Sequence, residues 1–109
     1  MPIDIFCKNI TLDGPLRVFI EEKIGGLARH VKDGKVHARV EIGKPSRHHR
    51  KGSIFYAEAN LKFGARILRA QVLHDDLRAA ITKGRDDLQI QIQKFKEKRT
   101  DLSRKSTKI

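Results

Sequence analysis

Residues 54–63 and 66–72 alternate apolar and polar side chains, with only Gly64 and its neighbour between them. In the first stretch Phe55, Ala57, Ala59, Leu61 and Phe63 share a side, opposite Ile54, Tyr56, Glu58, Asn60 and Lys62. In the second, Leu68, Ala70 and Val72 share a side against Arg69 and Gln71. A period of two places successive side chains on opposite faces of a strand. So short a connection leaves an antiparallel hairpin as the solution, with one face apolar and one polar. A third stretch, 35–42, has the same rhythm: Val36, Ala38, Val40 and Ile42 against Lys35, His37, Arg39 and Glu41. Residues 3–8 read as a shorter strand in which Phe6 breaks the polar side, with Cys7 taken as a small buried apolar residue.

Two segments carry the other period. After Asp13-Gly14-Pro15, a helix start with a capping carboxylate and a proline in the first turn, apolar residues recur at Leu16, Phe19, Ile20, Ile24, Leu27 and Val31. Spacings of three and four mark one face of a helix, which Gly25-Gly26 should weaken or bend. From 76 to 98 a longer stripe follows: Leu77, Ala80, Ile81, Gly84, Leu88, Ile92 and Phe95. Asp75 and Asp76 sit at its start and Lys94, Lys96, Lys98 and Arg99 at its end, as the helix dipole favours. The order strand, helix, three strands, helix predicts an α+β fold. It is a two-layer β-α-β-β-β-α sandwich, a four-stranded sheet with two helices on one face and the other face wet. The expected organisation is one domain over 1–99 and a basic, unstructured tail over 100–109.

Charge narrows the function. Over 109 residues, 24 Lys and Arg against 13 Asp and Glu leave +11 at neutral pH, the footprint of a polyanion binder. The excess is uneven: 94–109 holds seven Lys and Arg against Glu97 and Asp101. Candidate phosphate contacts are Arg17 and Lys23 on the first helix, and Arg47, Arg50 and Lys51 in the loop between the second and third strands. On the last helix they are Arg78, Lys83, Lys94, Lys96, Lys98 and Arg99. Tyr56 and Phe6 alone could offer rings on the wet sheet face, a thin platform for sequence-specific single-strand reading, so shape and phosphate recognition of folded RNA fits better.

Enzyme chemistry finds no purchase. The sequence has no glycine-rich phosphate loop, no serine nucleophile motif and no paired cysteine ligands. His48-His49, flanked by Arg47, Arg50 and Lys51, lacks the further ligands a metal needs, so no metal or other cofactor is expected. A single cysteine excludes an internal disulfide framework and suits the reducing cytosol. No run is apolar enough to span a bilayer, and the first residues lack a secretory signal. The expectation is a cytoplasmic RNA binder without catalytic activity.

Three segments carry a resemblance. They are Ile3-Asp4-Ile5 with Asn9-Ile10-Thr11-Leu12; Leu16-Arg17 with Phe19-Ile20 and Lys23; and Asp76-Leu77-Arg78-Ala79-Ala80-Ile81 with the close at Lys94, Lys96 and Lys98. In this order they resemble the bacterial ribosome hibernation promoting factors and ribosome-associated inhibitors, over about residues 1–98. Arg78 departs from the aromatic usual there, and Asp87 and Ile90 stand where basic residues are common. The resemblance implies a fold similar to double-stranded-RNA-binding domains. It implies binding to the small ribosomal subunit and its ribosomal RNA, in the channel of messenger and transfer RNA. The outcome would be translation inhibition that silences idle ribosomes under stress or in stationary phase. It implies RNA contacts at Arg17, Lys23, Lys94, Lys96 and Lys98, and a short member of the family, monomeric off the ribosome, with no membrane and no small-molecule substrate. The alternative is a generic double-stranded-RNA-binding or ribosome-assembly module; a protein-binding modulator of transcription or a small enzyme is the third.

Overall fold

The computed structural model describes residues 1–31, 35–45 and 54–106, with side chains as far as 98. The chain runs β1 (Ile3–Lys8), α1 (Gly14–Gly25), a 3-10 turn (Gly26–His30), β2 (Val36–Gly43), β3 (Phe55–Phe63), β4 (Arg66–His74) and α2 (Leu77–Ser106). The strands lie in the order β1-β2-β3-β4, with β1 parallel to β2 and the other pairs antiparallel. Both helices lie on the inward face and touch each other, α2 over β3 and β4 and α1 beside β1.

The period-two residues make the floor of the core. Val36, Ala38, Val40, Ile42, Ala57, Ala59, Leu61, Phe63 and Ala70 are buried, and onto them pack Leu16, Ile20, Ile24 and Leu27 from the first helical segment and Ala80, Ile81, Leu88 and Ile92 from α2. Each fully buried Leu or Ile contributes about 1.5–3 kcal/mol of transfer free energy, which lets one layer of helices suffice. The hairpin between β3 and β4 turns on Gly64, whose φ of 59° an L side chain rarely adopts. Gly43 is needed for a different reason: a Cβ there would stand 2.1 Å from the Lys8 carbonyl oxygen of β1. The two backbones can pair in register only because that atom is missing.

The weakening expected at Gly25-Gly26 takes the form of a change of winding: the α-helix ends there and tightens into the 3-10 turn, where glycine's lost helix propensity makes the change cheap. Two expectations change. The last helix passes the end expected at Lys98, and the segment from 100 that was expected to be unstructured is helical as far as Ser106. Neither Gly nor Pro follows Lys98 to stop it. Cys7 is exposed rather than buried, because β1 is an edge strand and helix cover extends over Ile3 and Ile5 only.

Candidate nucleic-acid interface

The helical layer is set by its two starts. At α1, Asp13 caps the helix by accepting from the Leu16 amide at 2.8 Å, with Pro15 in the first turn. At α2, Asp76 Oδ1 accepts from the Arg78 amide at 3.0 Å, while the Asp76 amide donates to His74 Nδ1 at 2.9 Å. These contacts hold Arg78 at the first turn of α2, beside α1.

Its side chain meets Phe19, which the pattern of the first helix places inward. The Arg78 guanidinium lies 5.5 Å from the centre of the Phe19 ring, and the Lys23 ammonium lies 5.6 Å from the same ring. Phe19 thus gathers two cations into the seam between the helices. Each such contact is worth about 0.5–1 kcal/mol at an exposed site, and together they offset the repulsion of like charges. Arg17 does not join them. Six positions before Lys23 it sits about 120° away around the helix, on the outer flank, 3.9 Å from Glu21 in an exposed pair worth under about 1 kcal/mol.

The basic end of α2 divides in the same way. Lys94 and Lys96 stand about 160° apart around the axis, whereas Lys94 and Lys98 stand about 40° apart. Gln91, on the flank of Lys94 and Lys98, donates to the Arg69 carbonyl of β4 at 2.8 Å. Lys96 instead lines a cleft with His30, Gln89 and Gln93 on the flank facing the 3-10 turn. Lys83 is exposed on the β4 flank. The cluster expected from the sequence is therefore two ridges with the crown of the helix between them. Arg47, Arg50 and Lys51, and the side chain of Arg99, lie outside the described residues, as does the His48-His49 pair.

Several cations were missed. Arg66, beside the hairpin turn, stacks 4.6 Å over Phe95, which itself meets Phe63 edge-on at 5.4 Å. It thus stands against the part of α2 that carries Lys94 and Lys98. Arg39, Lys62 and Arg69 stand on the opposite side, on the open face of the sheet. Their signal was the polar half of each alternation, already visible as Arg39 and Lys62 facing away from the apolar side. The arrangement supplies fixed cations with their stems on apolar surface, suited to phosphate oxygens. Among the described residues no group of three His, Cys, Asp or Glu could hold a metal ion, and no helix is long and apolar enough to cross a membrane.

Known proteins share this arrangement of elements. Residues 3–100 match the family model described as sigma 54 modulation protein / S30EA ribosomal protein. The chain is 32% identical over 93 residues to a ribosome hibernation promotion factor of Deinococcus radiodurans, covering 82% of this chain and 46% of that protein. It therefore spans about half the length of that relative. The fold is similar to the N-terminal domain of Protein Y from Thermus thermophilus, with a TM-score of 0.75, 25% identity, and coverage of 87% of this chain and 99% of that one. It is also similar in fold to a ribosomal subunit interface protein from Coxiella burnetii, with a TM-score of 0.71, 17% identity, and coverage of 89% and 99%.

Proposed function

The chain belongs to the sigma 54 modulation protein / S30EA ribosomal protein family, and on that premise we propose that it is a ribosome hibernation factor. In this role it binds the small ribosomal subunit in the channel of messenger and transfer RNA and silences idle ribosomes under stress or in stationary phase. It acts in the cytoplasm, as a monomer off the ribosome, by occupying the channel rather than by catalysis.

The observation that carries this reading is the helical layer with its cations stacked on Phe19 and ranged along α2. Two helices side by side present a rigid convex surface with phosphate-binding groups on both flanks. Such a surface recognises the shape of folded RNA rather than its sequence. The candidate contacts on it are Arg17, Lys23, Arg78, Lys83, Lys94, Lys96 and Lys98, with Arg66 added from the hairpin; Arg47, Arg50, Lys51 and Arg99 remain candidates from sequence alone.

Sucrose-gradient sedimentation with purified ribosomes tests it. The protein should travel with the small subunit, and the triple variant Lys94→Glu, Lys96→Glu, Lys98→Glu should remain at the top. Free wild-type protein at moderate salt would sink the proposal. Equal affinity for a plain RNA duplex would replace it with a generic double-stranded-RNA binder.

A further inference from the structure

The cations of the sheet's open face serve none of the contacts assigned to the helices, because the whole sheet lies between the two sets. Cross-strand register arranges them. Arg39 of β2, Asn60 of β3 and Arg69 of β4 form one row, and His37, Lys62 and Ile67 form the next. Phe6 of β1 completes the patch: the residue is 42% exposed, and the Arg39 guanidinium lies 4.4 Å from the centre of its ring. Together these residues line a trough of about 410 Å³.

The charge of this face is polarised. Asp4, the acidic member of the trough, is engaged by His37 at 2.7 Å. Glu41 and Glu58 occupy the next row along the strands, the row of Phe6 itself, paired across β2 and β3. The rows toward the hairpin keep Arg39, Lys62 and Arg69. Arg69 is held in place through Nε, which donates to Asn60 Oδ1 at 2.8 Å and lies 3.6 Å from Glu58, while its side chain stays 61% exposed. The backbone positions of Arg39 and Arg69 stand two strand spacings apart, about 10 Å.

We infer that this open-face trough is a second RNA site, which takes a short single-stranded segment by stacking a base on the Phe6–Arg39 pair and its phosphates on Lys62 and Arg69. Cations alone would attract any polyanion. The exposed ring with its planar guanidinium is what favours a nucleic acid, because every nucleotide brings a base that can stack on that platform next to its phosphate, whereas carboxylates alone have nothing to stack. Ile67, 60% exposed beside it, gives a flipped-out base an apolar edge to cover. The protein then has RNA-binding surfaces on both sides of the sheet, one for folded RNA and one for a single strand. The two stand independently: loss of either leaves the other intact.

The test uses the full chain and a fluorescein-labelled decauridylate, followed by anisotropy at about 0.1 M salt. Phe6→Ala removes the ring without changing charge and should weaken binding about tenfold. Arg39→Glu should weaken it at least as much, while Lys94→Glu with Lys98→Glu should change it less than Phe6→Ala does. Amide shifts of the wild type on adding the oligonucleotide should fall on β1 to β4 around Phe6, Arg39 and Arg69, which decides the matter even if a variant folds poorly. Shifts confined to α1 and α2, or unchanged binding by Phe6→Ala, would overturn the inference. So would dimers in sedimentation velocity that are lost with Arg39→Glu, since a second copy would then cover the face.

Discussion

Cys7 lies on the edge strand with its side chain exposed, yet its thiol is pushed up. The protein around the sulfur withholds water from the thiolate, and Arg17 on the outer flank of α1 pulls only part of the way back. The thiolate is the reactive form, so exposure does not make this cysteine a ready nucleophile. Alkylation by a small maleimide at neutral pH should be slower than for a free cysteine. Its rate should still be climbing above about pH 8.5, where an ordinary cysteine is half ionised. Arg17→Ala removes a favourable charge and should slow the reaction further at fixed pH. A rate that levels off below that pH would show that the sulfur is not shielded. The same fine grain appears at Tyr56, whose phenol is pushed up by burial and then by the carboxylates of Glu41 and Glu58; it donates to Glu41 rather than standing free as a stacking ring. Neither effect could be read from sequence, because each depends on which neighbours the sheet brings alongside.

At the scale of the elements, the junction at Gly25-Gly26 separates what a glycine permits from what it is needed for. Gly25 has φ −60° and ψ −31°, ordinary right-handed values, and a Cβ there would meet only Ile3 Cδ1 at 3.7 Å, an ordinary contact. Gly25→Ala should therefore stabilise the protein by about 0.5–1 kcal/mol, by raising helix propensity and narrowing the unfolded ensemble. Urea unfolding should show a higher midpoint with an unchanged slope; a lower midpoint would mean that the change of winding needs the glycine itself. The strands were legible because each carries one face of buried residues, so that alternation is written along 36–42, 55–63 and 68–72 without interruption. The long helix was legible in its stripe and not in its end, since Ser106 is reached without a stop signal. The split of the basic helix end was present in the numbering alone, because residues two apart on a helix cannot share a flank. The Arg66–Phe95 and Arg78–Phe19 stacks were not legible: each joins elements distant in sequence, and no local pattern announces which ring a cation will cover.

For the molecule as a whole, a net charge of +11 does not say how many phosphates are met at once; geometry decides that. Each phosphate contact formed releases counterions, so log K falls against log salt with a slope of about 0.7–0.9 per contact. Lys94 and Lys96 are exposed on opposite flanks of α2. If folded RNA wraps the helix as proposed, both contribute, and independently, because residues on opposite flanks meet different phosphates. Lys94→Gln and Lys96→Gln should each reduce the salt slope for small-subunit binding by about 0.7–0.9, and the double variant by about twice that. The quantity to measure is affinity across a salt series, by filter binding for the four proteins. A slope that moves for only one of the two would mean that the RNA lies along a single flank of the helix. In that case the channel-filling role would have to rest on Lys23 and Arg78 in the seam or on Lys83 and Arg66 on the far side, according to which lysine proved silent.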